Sequence, residues 1–121
     1  MTYEPRFDYD LAYGLEGERI ARFWHAGKRE TKRKRRLDSE FYIELEQNPR
    51  RAGMWKPSGL STSEASYFEY VIGDTGIIVA FPTSLLREAV AKGVGRDCEE
   101  YDGDNPTRGR LLNLVEVMQI A

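Results

Sequence analysis

Between Glu40 and Glu46 the chain alternates without a break, Phe41, Ile43 and Leu45 falling on one side and Tyr42, Glu44 and Glu46 on the other. Successive side chains of an extended strand point to opposite faces, so this pattern predicts a strand with an apolar face toward a core. The preceding stretch, Lys28 to Arg36, has no helical stripe, and seven of its nine residues are basic. Together the two stretches predict an antiparallel hairpin. In such a strand Glu30 and Lys32 would project from one face, about 6 to 7 Å apart. A carboxylate and an ammonium would then share one site.

The rest of the chain supplies helices and further strands. Tyr13, Ile20, Phe23 and Trp24 recur on one side of a helix over Tyr9 to Trp24, with Asp8 or Asp10 near its start and Gly27 to end it. Asn48-Pro49 and Lys56-Pro57-Ser58-Gly59 mark a loop, and Ser61 or Thr62 would open a short helix reaching Tyr70. Ile77 to Phe81 reads as a buried strand. Pro82-Thr83-Ser84 would then turn and cap a helix from Leu85 to Lys92, closed by Gly93. After a loop rich in Asp, Gly, Asn and Pro, Leu111 to Val117 forms the last strand. The order predicts an α+β (mixed α/β) fold in which helices cover a small central sheet.

A chain of 121 residues that is 40% hydrophobic and 12% aromatic suits one domain, spanning residues 1–121, with one core. Eighteen basic and twenty acidic residues give a net charge of −2, so a site for a polyanion has to come from local charge separation. The basic residues gather at 28–36 and at Arg50, Arg51 and Lys56. Cys98 is the sole cysteine, which excludes an internal disulfide and fits a reducing, cytoplasmic setting. No apolar run approaches the length of a membrane span, so no membrane partner is expected.

Several chemistries are poorly served. One histidine, His25, and one cysteine make a structural zinc site a poor fit, because such sites draw mainly on those residues. No nucleophile elbow lies near His25, and Cys98 sits among Asp97, Glu99 and Glu100, whose charge disfavours a thiolate. The first hairpin offers more. Magnesium-type ions take one or two hard carboxylates and keep water and phosphate oxygens for the rest, which Glu30 and Glu44 could supply. Lys32 beside them would steady a phosphate as charge develops on it.

Many short pieces then fall in a familiar order: Phe7-Asp8-Tyr9-Asp10-Leu11, Gly14 with Glu18, Gly27-Lys28-Arg29-Glu30-Thr31-Lys32, Phe41-Tyr42-Ile43-Glu44, Pro57-Ser58-Gly59-Leu60-Ser61-Thr62, Ala65 with Tyr67-Phe68, and Asn105-Pro106-Thr107-Arg108-Gly109. The chain resembles small phage-type nucleases of the PD-(D/E)XK superfamily along nearly its whole length. The resemblance implies a restriction-endonuclease-like core and cleavage of DNA with Mg2+ or Mn2+, by a phage-encoded protein acting inside a bacterial host. It makes Glu30 a metal ligand, Lys32 the catalytic lysine, Glu44 a further acid and Glu18 the helix carboxylate beside the metal. No aspartate lies between Glu18 and Glu30, so Glu44 or Glu18 would complete the metal set. Helical periodicity by itself leaves Glu16 and Glu18 both open for the helix position. Lys28, Arg29, Arg33, Lys34, Arg35 and Arg36, with Lys56 and Ser58 from the second loop, would hold DNA, and a homodimer would let two such sites act together.

Two other functions remain open from sequence. One is a protein that keeps the nuclease fold and binds nucleic acid without cutting it; the other is a phage interaction protein whose basic strand meets an acidic partner. The basic run could also be a solvated edge strand, with Glu44 and Glu46 as its cross-strand ion partners. Trp55, Tyr67 and Phe68 are candidates to stack on unpaired bases.

Overall fold

The computed structural model describes residues 14–22, 26–51, 53–101 and 104–121. Within them the fold is α+β, with two sheets rather than one. Residues 14–22 form helix α1, and every one of them is exposed. Tyr13, Phe23 and Trp24, which defined that helix's expected apolar side, lie outside the described residues, as do Asp8, Asp10 and His25.

The expected hairpin does not form. Strand β1 (Arg29–Lys34) runs parallel to β4 (Tyr67–Ile72), and β4 pairs antiparallel with β5 (Ile77–Pro82). Strand β2 (Glu40–Gln47) belongs to the other sheet, in the order β3 (Lys56–Pro57), β2, β7 (Thr107–Asn113), β6 (Arg96–Glu100), all antiparallel. The separation follows from burial. Phe41 is drawn between the sheets, its ring edge-on to Tyr70 of β4 and Phe81 of β5, each at 5.1 Å, so β2 leaves the plane of β1 immediately after the intervening turn.

The expected short helix up to Tyr70 is instead a 3-10 turn (Gly59–Ser61) and then strand β4. Phe68, Tyr70 and Ile72 are buried alternately with the partly exposed Glu69 and Val71, a period of two in aromatic and β-branched residues that favours a strand. Strand β5 is less buried than its composition suggests: it is the sheet edge, and only Phe81 is buried while Ile77 and Ile78 are exposed. Helix α2 (Thr83–Ala91) begins at Thr83 with Pro82 in the capping position and no side-chain cap. It ends as expected at Gly93, at φ 74°, whose N–H donates to Val90 while that of Val94 donates to Ala89.

The last strand stops at Asn113, earlier than Val117. The Asn113 side chain accepts from the Val115 N–H at 2.9 Å and so opens helix α3 (Leu114–Ile120). Strand β6 has no sequence expectation behind it, because Arg96-Asp97-Cys98-Glu99-Glu100 carries no apolar alternation; it is held by pairing with β7. Phe41, Ile43 and Leu112 from one sheet, Phe68, Tyr70, Ile72 and Phe81 from the other, and Leu86, Ala89 and Val117 from α2 and α3 make a single cluster.

Candidate functional site

Parallel pairing with β4 fixes which way β1 faces. Glu30, Lys32 and Lys34 stand opposite Phe68, Tyr70 and Ile72 and share their face, whereas Arg29, Thr31 and Arg33 take the other. The Thr31 hydroxyl donates to Glu69 at 2.6 Å and Arg33 pairs with Asp74 at 2.7 Å on that outer side. On the inner side the Lys32 ammonium lies 3.6 Å from the Glu30 carboxylate, both side chains about two-fifths exposed. The common face expected for these two is present.

Because β1 and β2 diverge, they enclose a cleft of about 580 Å³. One wall is Lys32 to Arg36; the other carries Tyr42 and Glu44 of β2, Leu111 of β7 and Glu100 of β6, with Phe68 and Tyr70 also contributing. A second hollow, of about 380 Å³, is bordered by Lys28, Arg29, Glu30, Thr62, Ser63 and Glu64. Gly59 borders both. It sits at φ +55°, in the left-handed region, and packs so closely on Glu44 that a Cβ there would overlap the Glu44 carbonyl oxygen and come within 2.8 Å of its Cβ. Thus Glu30 borders one hollow and Glu44 the other, with Gly59 between.

Other predicted residues are placed differently. Glu18 lies on exposed α1 and lines neither hollow, and neighbouring Glu16 pairs with Arg19 at 2.6 Å. Lys34 is engaged within the fold: its ammonium meets Asp38 at 2.5 Å and lies 5.4 Å from the Phe41 ring centre, with 13% of the side chain exposed. Ser58 is buried and its hydroxyl has no hydrogen-bond partner. Lys56 is exposed on β3 but borders neither hollow. Arg35 and Arg36 are exposed at the cleft. Glu46 pairs with Arg108 of β7, not with β1, and that guanidinium covers the Trp55 ring at 4.3 Å. Tyr67 and Phe68 are buried, which removes them as stacking surfaces.

Tyr42, Leu111 and Glu100 escaped sequence reasoning. The polar-face position of Tyr42 beside Glu44 was the one available signal, since Glu100 and Leu111 reach the cleft only through the pairing of β6, β7 and β2. Among the described residues no three of His, Cys, Asp and Glu gather into a metal-holding group, and no helix is long and apolar enough to cross a membrane.

Electrostatics of the cleft are legible in three groups. The Lys34 ammonium, with the Glu40 N–H, holds the Asp38 carboxyl below its ordinary range. Burial pushes the Tyr42 phenol up to about 12, opposed by its hydrogen bond with Thr107, and burial raises Tyr70 as well. Both tyrosines titrate higher in the folded chain than in the unfolded one. The stability they contribute is complete below about pH 10 and is lost as pH rises through the folded values. Urea unfolding between neutral and strongly alkaline pH should show this decline, and Tyr70→Phe should make it shallower; an unchanged slope would contradict the burial argument.

No protein-family model matches this chain, and neither the curated proteins nor the solved structures contain a significant match to it.

Proposed function

We propose that this chain is a metal-dependent DNA endonuclease or nickase on a restriction-endonuclease-like core, of the PD-(D/E)XK kind that its sequence resembles, and that it hydrolyses phosphodiesters where β1 and β2 diverge. The observation that carries this reading is the Glu30 carboxylate 3.6 Å from the Lys32 ammonium on one face of a basic strand, Lys32 lining the cleft and Glu30 the adjoining hollow. Their donor chemistry suits a magnesium or manganese ion: two hard carboxylates, Glu30 and Glu44, border adjoining hollows, and such ions commonly leave their remaining positions to water and phosphate. When bound, the ion would acidify a water and draw charge from the phosphate. Lys32 would donate to a non-bridging phosphate oxygen and stabilise the charge that grows there. Arg35 and Arg36 would hold neighbouring phosphates and fix the register of the strand.

A second reading, nucleic-acid binding without cleavage, is favoured by the placement of the two carboxylates on separate hollows, Glu44 lining the cleft with Lys32 and Glu30 the hollow beside it. Nicking of supercoiled plasmid in magnesium, manganese or EDTA separates the two. Metal-dependent nicking is expected, falling at least about a hundredfold in Glu30→Ala and in Lys32→Ala. Cleavage that survives both substitutions would place the chemistry elsewhere. Retention of DNA with no nicking in either metal would establish the second reading, and failure to retain DNA at low salt would point to an acidic protein partner.

A further inference from the structure

The two walls of the cleft differ in charge and in chemistry. The β1 wall is basic, with Arg35 and Arg36 exposed and Lys32 half-exposed. Across from it, Tyr42 and Leu111 are direct cross-strand partners and form one partly exposed apolar patch. The Tyr42 ring is held by the hydrogen bond between its hydroxyl and Thr107, 2.8 Å long. Glu44 and Glu100 border that patch.

We infer that the cleft takes single-stranded DNA, phosphates on β1 and bases on the Tyr42–Leu111 wall. This rests on the reading that the cleft binds nucleic acid, and it names the form of that ligand. A single strand is itself two-sided: anionic along its phosphates, and along its bases flat, apolar and edged with amino groups. Its phosphates meet Lys32, Arg35 and Arg36, while an unpaired base can stack on the fixed Tyr42 ring. Carboxylates accept hydrogen bonds from base amino groups, as an aspartate or glutamate does from cytosine N4, so Glu100 suits an exposed base edge. A duplex has phosphates on both of its strands and encloses its pairing edges. Seating one of its strands on β1 would turn the other toward Glu44 and Glu100, where like charges repel.

The test is fluorescence anisotropy with a labelled mixed-sequence oligonucleotide, single-stranded or annealed to its complement, in EDTA over a salt series. The single strand is expected to bind at least about tenfold more tightly than the duplex, the scale of one stacked base. Three phosphate contacts give an expected log-log salt slope of about −2 for the single strand, and the double variant Arg35→Ala/Arg36→Ala should bring it to about −0.7. Glu100→Lys, an exposed change on an edge strand, should raise duplex affinity and narrow the preference. Duplex binding as tight as or tighter than the single strand, or a preference that Glu100→Lys leaves unchanged, would overturn this inference while leaving the nuclease reading in place. No binding of either form would overturn both.

Discussion

Phe41→Ala is expected to cost about 3–5 kcal/mol of unfolding free energy, against a total of about 5–15 kcal/mol for a domain of ordinary stability. The ring is 2% exposed and is the place where the sheets meet: it belongs to β2 and packs edge-on at 5.1 Å against Tyr70 of β4 and again against Phe81 of β5. Truncation removes its buried area and also leaves a cavity that two hydrogen-bonded sheets cannot easily close. The loss should reach the cleft, because the Lys34 ammonium rests near this ring and Tyr70 donates its hydroxyl to the Tyr42 carbonyl at 3.2 Å. Phe41→Leu, which keeps most of the volume, should cost far less. Urea unfolding of the two variants decides the point: a loss near 1 kcal/mol for Phe41→Ala would mean that the sheets are held together elsewhere.

Gly109→Ala is expected to be comparably damaging for a different reason. Gly109 is buried on β7 opposite Glu44, beside the irregularity in the ladder between Glu44 and Glu46. A Cβ at this position would overlap the Ile43 carbonyl oxygen, lie 2.8 Å from its carbon and 3.1 Å from the Glu44 Cα. These are backbone atoms of the paired strand, so no side chain can rotate away, and the strands must part. Overpacking in a core costs about 1–3 kcal/mol where side chains can adjust; against backbone the upper end applies. Since Glu44 shifts with its strand, the nicking proposed above should fall together with stability. Gly17→Ala on exposed α1 is the contrasting case, with nothing within 4 Å of the added methyl, and helix propensity should make it neutral or stabilising by up to about 1 kcal/mol. Thermal melts of both variants side by side would expose an error in either assignment.

Glu30 and Lys32 share a face because two-residue periodicity is a property of extended backbone, and so this pair was legible before any tertiary contact was known. The same holds for Phe41 and Ile43, whose alternation with Tyr42 and Glu44 marks the buried side of β2, and for the end of α2 at Gly93, where only a left-handed residue completes the turn. Strand β4 was misjudged because Ser61 and Thr62 look like a helix start, whereas burial of Phe68, Tyr70 and Ile72 in one sheet face outweighs that local signal. Strand β6 had no local signal at all.

The extended character of β1 and β2, the shared face of Glu30 and Lys32, and the concentration of positive charge beside them are all local, because each depends on neighbours along the chain. Which strand each one pairs with is set by long-range packing. Parallel pairing of β1 with β4 and the insertion of Phe41 between the sheets separate two segments that local pattern would join. That separation opens the cleft, takes Lys34 into the packing and brings Glu100 and Leu111 opposite the basic strand. Such contacts link residues far apart in sequence, and their free energy comes from burying apolar surface jointly, which no local segment can do alone.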